Sequence, residues 1–192
     1  MITRTKVVII NGIAQSGKDT FVEMAASYCN ANECANVLNI SSVDPIKDML
    51  TRFGWDGNKD NDVRSVIALI KGIWDRNQCG STMFLLTNIM QYHMNHAGED
   101  NIIFCHIREP ENIDALYRII SGMENIGISV TTLLIIRGNM TDEYNRIRQD
   151  KIEDVSNYMY DSVIYNDSLD EYAQKVKDFC RKLILGGYYD TI

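Results

Sequence analysis

The run Gly12-Ile13-Ala14-Gln15-Ser16-Gly17-Lys18-Asp19-Thr20 has residue types and a spacing suited to holding phosphate. It fits G-x-x-x-x-G-K, with a carboxylate where a serine or threonine is usual. The glycines let the backbone curl so that successive N–H groups point inward at phosphate oxygens. A helix starting directly after the loop presents its positive end there. Lys18 adds a full charge. The expected phosphate-contacting set is therefore Gly12, Ala14, Gln15, Ser16, Gly17, Lys18, Asp19 and Thr20. Asp19 or Thr20 is expected to hold Mg²⁺, which prefers hard oxygen ligands. The carboxylate could ligate the ion directly or through water, and the hydroxyl of Thr20 could do so in its place.

Elements able to position this loop can be read on both sides of it. Lys6–Asn11 is a continuous apolar run before it, and Lys18–Ala31 has a helical pattern after it. Further strand-like runs are Asn36–Ser41, Asn101–Ile107, Ser129–Arg137 and Asp161–Tyr165. Near-continuous apolar runs suit parallel strands covered on both faces. Asp44-Pro45 and Glu109-Pro110 offer helix starts, and Ser81 a further cap. The helical stripes expected to face inward are Ile46/Met49/Leu50/Phe53, Val63/Ile67/Ile70/Trp74, Met83/Leu86/Met90/Met94, Ile113/Leu116/Tyr117/Ile120 and Leu169/Tyr172/Val176/Phe179/Leu183. Alternating strands and helices predict a three-layer α/β fold with a mainly parallel five-stranded sheet in one domain, residues 1–192. The second and third strands are roughly sixty residues apart, far more than a crossover needs. A helical insertion over one end of the sheet, about 44–98, is expected there. The polar segment of about 138–160 reads as a lid.

With these elements in order, the sequence resembles the small P-loop kinases. It is most similar to phage-type deoxynucleoside-monophosphate kinases and their bacterial relatives, and more distantly to dephospho-CoA kinases. The resemblance rests on SGKDT at Ser16–Thr20, DPIK at Asp44–Lys47, REP at Arg108–Pro110 and V-I-x-N-D at Val163–Asp167, scattered over nearly the whole chain. It implies the P-loop NTPase fold and phosphoryl transfer from ATP with Mg²⁺. It also implies a helical acceptor region, an arginine-bearing lid, and Asn166 near the adenine edge. Two departures stand out. Asp19 replaces the usual hydroxyl residue. The third strand ends Cys105-His106-Ile107-Arg108-Glu109, without the aspartate that such strands usually carry; Asp44 or Glu109 could substitute, or each could serve as a helix N-cap.

Phosphoryl transfer depends on neutralising charge more than on covalent help. The catalytic candidates are Lys18, Arg108, Arg146 and Arg148, with Arg137 and Lys151 as further cations. Asp44, Lys47, Arg64 and Arg108 are the candidates for binding the acceptor, expected to be a (deoxy)nucleoside monophosphate. The alternatives are another small acceptor such as dephospho-CoA, or a nucleotide-binding protein without transfer activity. His93 and His96 share a helix face, but no further ligand completes a metal site. Cys105 and His106 occupy adjacent strand positions and should point oppositely.

Composition narrows the partners. The net charge of −7, from 19 basic and 26 acidic residues, lacks the surplus that a general nucleic-acid binder needs. Five cysteines without a CxxC pair read as free thiols of a cytoplasmic protein. No run of apolar residues has the length of a membrane span. The amphipathic helices of Asp62–Ala97 could also form a homodimer face.

Overall fold

The computed structural model describes residues 4–58, 60–78, 80–137, 155 and 158–185. In chain order the elements are β1 (Arg4–Asn11), α1 (Lys18–Ala31), β2 (Asn36–Ser41), α2 (Asp44–Arg52), α3 (Asn61–Gln78), α4 (Gly80–Asn95), β3 (Asp100–His106), α5 (Pro110–Ser121), β4 (Ile128–Arg137), β5 (Ser162–Asn166) and α6 (Leu169–Leu185). The five strands form one sheet in the order β2-β3-β1-β4-β5, and every pairing is parallel. β1 is central, and each of its residues Val7 to Ile10 is fully buried. From β1 the chain goes first to β2 and β3 on one side, then to β4 and β5 on the other. A crevice therefore opens at the carboxyl end of β1, where the direction reverses. The glycine loop lies there.

Two apolar layers sandwich the sheet. On one face Val8, Ile10, Phe104, Leu133 and Ile135 pack against Phe21, Val22 and Ala25 of α1 and Tyr172 and Val176 of α6. On the other, Val7, Ile9, Ile103 and Cys105 pack against Leu85 and Ile89 of α4 and Ile113, Leu116 and Ile120 of α5. This is the three-layer α/β arrangement with a parallel five-stranded sheet that the strand–helix alternation predicts.

The expected insertion divides into two parts. α4 belongs to the second layer and covers the sheet face itself. α2 and α3 stand outside it, with α3 packed on α4 and α2 on α3. Three inward stripes are corrected. In α4, Met83 and Met94 are exposed, whereas Leu85 and Ile89 are fully buried. That helix is apolar nearly all round, so its spacing alone does not select a face. Phe53 is 81% exposed beyond the end of α2, and Leu169 is 66% exposed in the first turn of α6.

Phe21 joins the loop's helix to the core. It meets Phe104, Tyr172 and Phe179 edge-to-face at centroid distances of 6.0, 5.9 and 5.6 Å, a favoured aromatic geometry. Phe21→Ala is expected to lower stability by about 3–5 kcal/mol, measured by urea unfolding. Leu169→Ala should change it by less than about 0.5 kcal/mol.

Candidate functional site

The loop between β1 and α1 is shaped by two close approaches. Gly12 has φ 149°, and a Cβ there would lie 2.5 Å from the Ile135 carbonyl oxygen and 2.7 Å from Ser16 Oγ. Gly17 has φ 100°, and its Cβ would lie 2.4 Å from Asn166 Nδ2. Gln15 also adopts positive φ, 61°. The backbone thus turns in a way only glycine allows at both ends of the loop. Gly17 then caps the first turn of α1, which directs the helix's free N–H groups into the loop.

Lys18 reaches back across this turn. Its ammonium donates to the carbonyl oxygens of Gly12 and Ile13, the latter at 2.7 Å. Ala14 and Gln15 form the rim, and Ser16 is fully buried beneath them. Asp19 is exposed and Thr20 partly buried in the first turn of α1. Neighbouring elements brace the loop from outside. Asn166 Nδ2 donates to the Ser16 carbonyl at 3.0 Å, and the Tyr172 hydroxyl donates to the Gly17 carbonyl at 2.9 Å. Asn166, implied by resemblance to face the base, is bound in this structure to the phosphate loop itself. Arg137, at the end of β4, donates to the Gln15 carbonyl at 3.4 Å.

Asn11, the last residue of β1, is a junction that sequence reading missed. It is fully buried. Its Oδ1 accepts from the Gly12 N–H at 2.8 Å. Its Nδ2 donates to the Arg108 carbonyl at 3.2 Å and to the Tyr160 hydroxyl at 2.7 Å. One amide thus links the loop, the segment after β3 and the chain returning to β5. A polar residue closing an apolar run, next to the first loop glycine, is the only signal the sequence offered.

The carboxyl end of β3 differs from expectation. The strand ends at His106, and Arg108 lies exposed in the link to α5. Arg108 is thus a solvent-facing cation after the strand and not a buried strand-end residue, tied to the loop through its carbonyl and Asn11.

His106 takes the place at this end of β3 that faces the loop's layer. Its Nε2 lies 2.8 Å from Asn39 Oδ1. Burial, reinforced by the nearby Lys18 and Lys47 ammoniums and opposed by Asp19 and Asp44, pulls its pKa down to about 4. The loop and the start of α2 therefore converge on a neutral imidazole. With Nε2–H donated to Asn39, Nδ1 is left as an acceptor.

Asp44 and Lys47 form an ion pair with each other at 2.8 Å. Asp44 Oδ2 also accepts from the Ser41 N–H at 2.7 Å, so it ties α2 back to β2. The N-cap is Val43, and Asp44 is the first helical residue. Arg64 is exposed in the second turn of α3. Arg146, Arg148 and Lys151 lie outside the described residues. His93 Nδ1 lies 2.9 Å from Thr5 Oγ1, while His96 stacks on Tyr92, so the two rings have separate partners.

A second missed residue anchors the outer helices. Lys71 of α3 is only 4% exposed. Its ammonium bonds Asp75 and Glu109, both at 2.7 Å. Asp75 also accepts from the Ser81 N–H at 2.9 Å and from Asn112 Nδ2 at 2.8 Å. Burial alone would push the Asp75 carboxyl up, but these hydrogen bonds outweigh it and hold the group below its ordinary value. Glu109, weighed as a metal ligand or N-cap, occupies the N-cap position of α5 with its carboxylate turned to Lys71.

No family model matches the chain, and no curated protein matches it. Solved structures do resemble it. The crystal structure of APE1195 superposes with TM-score 0.52 at 13% identity, over 94% of this chain and 97% of that one. Mycobacterium tuberculosis APS kinase CysC, in complex with AMPPNP and APS, gives 0.49 at 13% identity over 92% and 97%. Thymidylate kinase from Ehrlichia chaffeensis gives 0.49 at 16% identity over 92% and 98%. The likeness to APE1195 is one of fold, in agreement with the sheet order.

Two outcomes follow from the buried charges. Lys71→Met leaves Asp75 and Glu109 facing each other and is expected to cost about 3–5 kcal/mol in urea unfolding, with part of the loss recovered in Lys71→Met/Glu109→Gln. For His106, the unfolded chain takes up a proton near its ordinary pKa and the folded chain only near pH 4. Its contribution is thus fully present above the unfolded value and lost as pH falls. Stability should drop by about 2 kcal/mol between about pH 7 and about pH 5. Comparing wild type with His106→Asn at both pH values checks this, because the variant lacks that slope.

Proposed function

We propose that this chain is an ATP-dependent small-molecule kinase whose acceptor is a (deoxy)nucleoside monophosphate. The observation that carries the reading is the glycine-built cradle at the carboxyl end of β1, with Lys18 folded into it, Arg137 of β4 at its rim and Arg108 in the link after β3. At Gly12 and Gly17 a side chain would collide with Ile135, Ser16 and Asn166, so glycine is what lets the backbone curl here. A curled loop at a helix N-terminus, with an ammonium folded into it, fits a polyphosphate.

Each cation then has a task. Lys18 needs only to exchange two carbonyl partners for phosphate oxygens, so it can follow negative charge as it develops. Arg137 is held at the loop's rim. Arg108 sits across the Asn11 junction, on the acceptor side between the sheet edge and α2–α3. It offsets the repulsion between an acceptor dianion and the donor's phosphates. Asp44 and Lys47 close the same side from β2, and Arg64 offers a further contact for the acceptor. Asp19 and Thr20 present hard oxygens in the first turn of α1 and fit Mg²⁺. When bound, the ion neutralises charge on the transferring group.

A second reading, nucleotide binding without transfer, draws on one observation. The end of β3 carries the neutral His106 rather than a carboxylate.

The test is steady-state and single-turnover kinetics with ATP and Mg²⁺ over nucleoside monophosphates, deoxynucleoside monophosphates and dephospho-CoA. Transfer to a monophosphate is expected. Lys18→Ala should slow it ~10²–10³-fold. Arg108→Ala should lower kcat/KM for the acceptor ~10–100-fold, the worth of one charge-assisted hydrogen bond, with ATP binding by calorimetry intact. ATP binding without transfer to any acceptor would establish the second reading. Failure to bind ATP would overturn both.

A further inference from the structure

We infer that the chain carries a second anion site, at the end of the sheet opposite the phosphate loop, for a small phosphate ester with an apolar group. Its floor is an interruption in the sheet's packing. On the face that meets α1 and α6, β1 presents Lys6, Val8 and Ile10, and β4 presents Ser129, Thr131, Leu133 and Ile135, since alternate residues share a face. The carboxyl halves, Val8, Ile10, Leu133 and Ile135, are core. The amino halves are polar. Lys6 pairs in register with Ser129, and Val8 with Thr131, so three polar side chains occupy adjacent positions where a covered sheet face is ordinarily apolar.

A cavity of about 220 Å³ lies above them. It exists because β5 starts late. Ser162, its first residue, pairs with Leu133, so the amino half of β4 has no strand beyond it, while α6 continues overhead. Phe179 and Leu183 of α6 supply an apolar wall, and Lys182 a second ammonium.

The charges are what ask for a ligand. Lys6 is partly buried on the central strand. Among the described residues, neither Lys6 nor Lys182 forms an ion pair. The carboxylate that borders this region, Asp161, is held at the β4 side of the cavity. It accepts from Thr131 Oγ1 at 3.3 Å, Thr132 N at 2.8 Å and Thr132 Oγ1 at 3.0 Å. In a chain of net charge −7, two ammoniums line one cavity together with the hydroxyls of Ser129 and Ser162. A phosphate group bound there accepts from the lysines and from Ser129 and Ser162. The volume holds about seven waters and is below the range of pockets for drug-sized ligands. It therefore suits a phosphomonoester on one ring or a short chain rather than a nucleotide.

The site is independent of the kinase reading and is tested separately. Wild type and Lys18→Ala are titrated with phenyl phosphate and with inorganic phosphate, followed by amide chemical shifts. Saturable shifts at Ser129, Thr131, Ser162 and Phe179 are expected in both proteins, with phenyl phosphate the tighter ligand. Lys6→Met and Lys182→Met should each weaken binding at least about tenfold, the effect of losing one charge-assisted contact. Lys182 is exposed on α6, so its variant keeps the test usable if Lys6→Met does not fold. Shifts confined to residues 12–20, no saturation at these amides, or binding unchanged in Lys182→Met would overturn the site. Equal affinity for the two probes would overturn the assignment of an ester.

Discussion

The close passage of β4 over Gly12 is the constraint on which the site depends. The Ile135 carbonyl stands where a side chain at position 12 would be, so the chain can leave β1 and curl only with glycine there. On the far side of the loop, Asn166 presses on Gly17 in the same way. The cradle is therefore shaped as much by β4 and β5 as by its own sequence. That is why the sheet order matters to it: β1 must lie beside β4 for the turn to be forced. Asn11 then converts one tight turn into a junction. Because its amide joins the loop to the Arg108 segment and to Tyr160, a shift of the loop is felt after β3 and at the chain's return to β5.

The outer helices are held by a different kind of force. α3 exposes Val66, Leu69 and Ile73, and Lys71 is its most deeply buried side chain among the described residues. Its attachment combines the Trp74–Phe84 contact with α4 and an electrostatic anchor through Lys71, Asp75 and Glu109, to which α4 and α5 contribute Ser81 and Asn112. A buried ion pair adds little net stability compared with an apolar contact, but it is exacting about geometry. Here it fixes where α3 stands relative to Glu109, the neighbour of Arg108. An apolar interface could slide without much loss; the Lys71 trio cannot.

The strands, the first helix and the loop were legible because each carries a local signal: continuous β-branched runs, a glycine pair at fixed spacing, prolines at helix starts. The face of α4 was not, since apolar residues line nearly its whole circumference and Leu85 and Ile89 are the ones it buries in full. Phe53 and Leu169 misled for a related reason: both continue an apolar stripe past the point where the element has something to pack on. Asn11 and Lys71 were illegible because their value comes from partners distant in sequence, Arg108 and Tyr160 for one and Glu109 for the other. Arg108 reads in the sequence as the end of the third strand, but it is exposed, because the strand ends two residues before it.

The two ends of the segment 138–157 are fixed beside the phosphate loop. Arg137, the last described residue before it, bonds Gln15, and Tyr160, just after it, bonds Asn11. Both anchors lie at the carboxyl end of the sheet. Lys18, Arg137 and Arg108 are therefore joined, through carbonyl and amide bonds of one loop, at the same end of a sheet in a chain of net charge −7.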